Sequence, residues 1–124
     1  MASILRVNTL TDASSNNSIA TSFIAQGTAK VWCPLVYSSG TPTAADSLNV
    51  ASFTDSQTGD AYINYTSSTA STNCSCGGSN TSTSSDLGVF NKADTTARGR
   101  TTTRNNSNSL ADSDRNFQLH GDLA

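Results

Sequence analysis

The chain has no glutamate, only two lysines (Lys30 and Lys92), and a single methionine, tryptophan and histidine among its 124 residues. The side chains that best sustain a solvated helix are therefore nearly missing, and helices are not expected. No run of 18 apolar residues exists, which removes a membrane-crossing helix. The opening MASILRVNTLTDASS lacks the basic stretch and long apolar stretch of a secretion signal, so the expectation is a soluble protein not exported by that route. The cysteine count, three, is odd and argues against a disulfide framework. Cys74 and Cys76 would point the same way along a strand, with α-carbons near the upper limit for a bridge, so free thiols in a reducing cell are expected. A net charge of -2 gives no bulk electrostatic reason for nucleic-acid or membrane binding.

What the chain does contain is Ser, Thr and Asn, roughly two-fifths of all residues, against 35% apolar residues. Its length suits one domain plus a short extension. At about 25 cal/mol per Å² of apolar surface, so few large side chains barely offset the entropy of ordering the chain. Burial against identical copies is the expected remedy.

Thr, Val, Ile, Tyr and Phe stand between clusters of Gly, Asn, Asp and Ser, which reads as strands punctuated by turns. Two apolar patches, Ile4 to Leu10 and Ile19 to Ala25, flank a turn-rich stretch. They form either an extension that pairs with another chain or a hairpin of the same domain. From Thr28, Ala29, Val31, Cys33, Leu35 and Tyr37 alternate with Lys30, Trp32, Pro34 and Val36, giving a long strand with one apolar face, Pro34 suiting an edge or a bulge. After a loop from Ser38 to Asp46, Leu48, Val50 and Phe53 slip in phase, as at a bulge. DSQTGD reads as a turn, and Asp60 to Thr66 as its partner strand with Ala61, Ile63 and Tyr65 on one face. Thr69 to Cys76, Leu87 to Asn91, Ala97 to Arg104 and Asn116 to His120 are the remaining strand candidates, with GGSNTSTSSD, KADTT and NNSNSLADSD between them. The fold expected is all-β: an antiparallel β-sandwich, jelly-roll-like, over residues 27–124, preceded by a short extended segment over residues 1–26.

Catalytic chemistry finds little footing. A nucleophilic triad needs a positioned base, and the single histidine, His120, sits four residues from the end. Glycan cleavage needs two carboxyls, one with a raised pKa, but most of the nine aspartates stand in turn sequences where Asp caps its own backbone. Asp112, Asp114 and Asn116 match the opening of a calcium loop, which then fails at Phe117 and Leu123. Cys33, Cys74, Cys76 and His120 lack a zinc spacing. No enzyme activity, cofactor or metal is expected. Arg98, Arg100 and Arg104 would share one face of a strand, either as a site for an acidic glycan or as charge protecting a solvated edge strand.

The stretches SILRVNTLTDASSNNSI, QGTAKVW, DSLNVASFTDSQTGDAYINYT and FQLHGDLA, in this order, resemble a family of small fibre proteins of marine cyanophages and related phages. The resemblance covers nearly the whole chain, and departs from the family where Cys33, Pro34 and CSCGG interrupt regular strand sequence. It implies a virion structural protein, assembled in the host cytoplasm, with an attachment segment ahead of a β-rich body that forms a homotrimer. No catalytic residues come with it. The attachment segment would reach another virion protein through Ile4, Leu5, Val7 and Leu10. Exposed loops would meet a host-surface glycan, with Ser79, Asn80, Arg98, Arg100 and Arg104 as candidate contacts. A capsid decoration or head-fibre protein without a receptor is the alternative.

Overall fold

The computed structural model describes residues 6–14, 17–82 and 88–124. Ile4 and Leu5 lie outside them, as do Leu87 and residues 83–86 of the small-residue loop. The described chain is mostly strand. β1 (Thr9–Thr11), β2 (Ser18–Ala20) and a short helix α1 (Thr21–Gly27) are followed by β3 (Ala29–Ser38), β4 (Thr41–Thr43), β5 (Val50–Gln57) and β6 (Asp60–Tyr65). β7 (Ser75–Gly77), β8 (Gly88–Thr95), β9 (Arg98–Arg104) and β10 (Arg115–His120) complete the order. β1 and β2 pair only with each other, while the rest form two four-stranded antiparallel sheets, ordered β4-β3-β10-β7 and β5-β6-β9-β8. Among the described residues no helix is long and apolar enough to cross a membrane.

The alternation read from sequence decides which side chains turn inward. Val31, Cys33 and Leu35 of β3 and Phe117 and Leu119 of β10 are buried from one sheet, Ala61, Ile63 and Tyr65 of β6 from the other, in one cluster. The sheets approach closely at Gly99 of β9: a methyl group there would run into the Phe117 ring of β10 and lie 2.6 Å from the Tyr65 hydroxyl. The far end of the interior is polar. Arg115 is fully buried there, donating to the Thr103 hydroxyl, to the Tyr37 hydroxyl at 2.9 Å and to the Thr101 carbonyl at 3.2 Å, with its guanidinium 5.0 Å from the Tyr37 ring. Burial lowers its pKa, and the neighbouring Tyr37 works the other way.

Local expectations fared unevenly. The DSQTGD turn closes the β5–β6 hairpin, with Gly59 at φ +71, and the slip before Phe53 is a register shift between Val50 and Ser52. Pro34 stands opposite Asn116, on a stretch of β3 between the Leu48 bridge and β4 where the strand has no second ladder partner among the described residues. Five expectations are corrected. Ile19 to Ala25 is not a strand, because β2 ends at Ala20 and α1 follows; having no further strand to pair with, the chain satisfies its backbone locally, closed by the Thr28 N–H and hydroxyl on the Ile24 carbonyl. The first segment is thus a hairpin and a helix, not an extended arm. The Ser38 to Asp46 loop contains β4, because Ser39 and Gly40 both have positive φ (52 and 80) and make a two-residue hairpin turn. KADTT is not a separator: Lys92, Ala93 and Thr95 pair with Arg100, Gly99 and Arg98 of β9, with a register shift between Ala93 and Thr95. Thr69 to Cys76 contributes only Ser75 and Cys76 to β7, which runs on to Gly77, plus a bridge from Thr69 to Leu123, since the segment crosses from one sheet to the other.

Candidate functional site

The two sheets turn chemically different faces outward. On the β4-β3-β10-β7 sheet, the alternation that buries Val31 and Cys33 sends Trp32 and Pro34 out, and the one that buries Phe117 and Leu119 sends Asn116 and Gln118 out. Register sets Trp32, Gln118 and Gly77 in one row across three strands, and Pro34 beside Asn116 in the next. With Gly78 and Ser79, the side chains of Trp32, Pro34, Asn116 and Gln118 line an open groove of about 570 Å³. Trp32 is 36% exposed, and Gln118 and Ser79 are also exposed.

The groove floor is held from inside. Asn91 of β8 donates to the Gly77 carbonyl at 2.8 Å and the Asn116 carbonyl at 3.2 Å, tying the other sheet to it. A side chain at Gly78 would strike the Asn116 carbonyl, so the chain lies flat there. Ser79 takes the Asn116 N–H on its carbonyl at 2.8 Å, and its hydroxyl has only a weak 3.4 Å contact with the Asn116 amide. Asn80, one residue on, faces the body: its Oδ1 accepts the Ser113 hydroxyl at 2.9 Å and the Ser82 N–H at 3.0 Å. Asn80 therefore holds the loop in place while Ser79 stays available.

The other face carries the arginines. Arg98, Arg100, Thr102 and Arg104 do share one side of β9, but β9 is an inner strand between β6 and β8, which corrects the edge-strand expectation. Their company explains the charge. Arg100 makes a two-pronged pair with Asp60, at 2.8 and 2.5 Å, with the carboxylate side chain 1% exposed. The hydrogen bonds from Arg100 hold Asp60 below the usual carboxylate range against the opposing effect of burial, and raise Arg100 in turn. Arg98 donates to Asp94 at 2.8 Å and stacks on Tyr62, 4.0 Å from the ring centre. Burial pushes Asp94 up, but hydrogen bonds from Lys92 and Arg98 outweigh it and leave its pKa lowered. Arg104 alone of the three has no carboxylate partner among the described residues; it donates to the Asn108 carbonyl at 2.8 Å.

The sequence-derived site residues thus split between opposite faces. Trp32, Asn116 and Gln118 were missed as a group because register, which only tertiary pairing sets, brings them together. Asp60 corrects the turn role given to its sequence context: its own side chain sits in a buried ion pair. Asp112 and Asp114 are committed elsewhere, accepting the Gly59 N–H at 2.5 Å and the Tyr37 N–H at 2.9 Å. Cys33, Cys74 and Cys76 are free, and burial pushes the Cys33 thiol up to about 12 despite the nearby Arg115. His120 Nδ1 lies 3.1 Å from the Gly27 carbonyl, and among the described residues no group of three His, Cys, Asp or Glu side chains could hold a metal ion. No protein family, curated protein or solved structure matches this chain.

Proposed function

We propose that this chain is a non-enzymatic structural protein of a phage particle, a short homotrimeric fibre or tail-fibre-like adhesin that holds a neutral glycan in the Trp32 groove. The observation that carries the reading is the row of Trp32 and Gln118 beside Pro34, Asn116 and Ser79. An exposed indole offers a flat apolar surface to the C–H face of a sugar ring, and amides and a hydroxyl around it can each donate and accept toward ring hydroxyls. Such a site reads a polar, uncharged ligand and sits on paired strands, which keeps its side chains in place.

Residues 27–124 form the displayed body, a β-sandwich built from the two sheets. In its favour, both sheets feed one buried cluster, and the first and last body strands, β3 and β10, are neighbours as in a jelly roll. The β5–β6 hairpin stays within one sheet, so the resemblance to that arrangement is loose. Residues 1–26 attach to another virion protein. They carry exposed apolar side chains, Val7, Leu10, Ile19 and a 70% exposed Phe23, on a hairpin and helix that share no sheet with the body. Assembly takes place in the host cytoplasm and the finished protein resides in the virion.

Glycan-array binding by the purified protein tests the site. Trp32→Ala is expected to weaken capture of neutral glycans roughly tenfold or more while the protein still melts cooperatively, at a lower temperature because part of the indole is buried. Undiminished capture by that variant removes the groove as the receptor site. A mass of three chains in solution supports the trimer, and a monomer sinks it. Gold labelling at the head instead of the tail, with no block of host adsorption by free protein, favours the capsid decoration reading.

A further inference from the structure

We propose that the opposite face carries a second site, a cleft for a carboxylate-bearing sugar unit centred on Arg104. The proposal rests on the adhesin reading only in taking a saccharide as ligand. The cleft, about 310 Å³, lies over β8 and β9 and is lined by Gln57, Phe90, Lys92, Arg100, Arg104 and Leu110, with Thr102 at its base. That volume is at the small end for ligand pockets and suits one or two sugar rings.

Charge localises the anion to one end. Asp60 neutralises Arg100, and Arg98 is both paired with Asp94 and stacked on Tyr62, so the Arg98 end of the stripe is spent. Arg104 uses one terminal nitrogen on Asn108, which is itself locked at φ 60. Its remaining donors meet no acceptor among the described residues, which leaves a guanidinium edge for two parallel hydrogen bonds to a carboxylate. Lys92, on the next strand opposite Arg100, adds an exposed ammonium that Asp94 holds at 3.2 Å.

The apolar wall completes a sugar site. Phe90 is 60% exposed and stands opposite Thr102. Its ring leans over Gly88, 3.4 Å from where a methyl group there would sit, and Gly88 is the residue paired with Arg104. An exposed phenyl face and an open guanidinium edge thus flank one cleft, matching the C–H face and the carboxylate of a uronic acid. A nucleic acid is the less favoured ligand, because one unpaired arginine and one half-satisfied lysine on a chain of net charge -2 cannot follow a run of phosphates.

The test is calorimetric titration of the full chain with oligogalacturonate, with uncharged maltooligosaccharide and with a short single-stranded DNA. Oligogalacturonate is expected to bind and to weaken as salt is raised, the other two to bind at least tenfold more weakly. Arg104→Gln should cost tenfold or more and Phe90→Ala several-fold, while Arg98→Gln and Trp32→Ala stay within twofold. Should Arg104→Gln fail to fold, Lys92→Gln and Phe90→Ala decide, each expected to weaken oligogalacturonate and not the neutral oligomer. Equal losses from Arg98→Gln and Arg104→Gln, or tighter binding of DNA, overturn the proposal. Loss through Trp32→Ala with none through Arg104→Gln also overturns it, while leaving the groove reading standing.

Discussion

The outward faces of the two sheets are built from the same alternation and end with opposite chemistry. Across the β5-β6-β9-β8 face, cations are matched by carboxylates: Asp60 and Asp94 reach Arg100 and Arg98 from the strands on either side, and Asp94 also holds Lys92 of its own strand. Most of its charge is consumed as structure. Across the β4-β3-β10-β7 face the outward amides of Gln118 and Asn116 have almost no side-chain partners, and the indole of Trp32 lies beside them. The lesson is that a row of arginines in a sequence says less about binding than which strand supplies the counter-charge, because a satisfied ion pair has little left to offer a ligand.

Removing the shared support should break both faces together. Phe117→Ala empties the contact between β10 and β9 and is expected to cost about 3–5 kcal/mol, read as a lower urea midpoint, with ligand capture lost on both sides. If one face kept its binding at full strength, the two would not share a core.

A smaller change separates the faces. Asp60→Asn leaves Arg100 without its carboxylate and should cost roughly 2–3 kcal/mol, less than a fully buried pair because Arg100 is partly exposed. The folded-state pKa of Asp60 is depressed, so its stabilisation is complete above the ordinary aspartate range, near about 4, and is lost as pH falls through the lower folded value. The native protein should therefore lose melting temperature more steeply than the Asn variant below about pH 4, and parallel curves would contradict the assignment.

The mildest probe leaves stability untouched and asks whether the back of the Trp32 strand is sealed. Cys33, on the inner side of β3 between Trp32 and Pro34, is buried and its thiol is pushed up to about 12. A disulfide-exchange reagent at about pH 8 should label the part-buried Cys74 in the native protein, Cys76 more slowly because burial raises its thiol pKa, and Cys33 only on unfolding. Three fast equivalents would mean that the interior behind the groove is open.

How much was legible in the sequence follows from how local each signal was. Val31, Cys33 and Leu35, and Ala61, Ile63 and Tyr65, announce their strands through a period of two within a few residues. Gly59 marks its turn in the same local way. The helix Thr21–Gly27 was hidden because its sequence has no capping side chain, acidic first turn or basic last turn to announce it. β8 was read too short because Lys92 to Thr95 looks like a turn by composition, and only pairing with β9 keeps it extended. The arginine stripe was visible as a stripe, whereas its counter-charges, 40 residues away for Asp60 and Arg100, were not.

By itself the sequence determined that the chain is built mostly of strands and, for β3 and β6, which side turns inward, since both depend on side-chain chemistry repeated every second residue. Register and neighbourhood were left to the tertiary structure. Trp32 meets Gln118, Asp60 meets Arg100, and Asn80 turns to Ser113 while Ser79 does not, because strands distant along the chain pair in one alignment that satisfies their backbone groups and fills the space around Phe117 and Gly99.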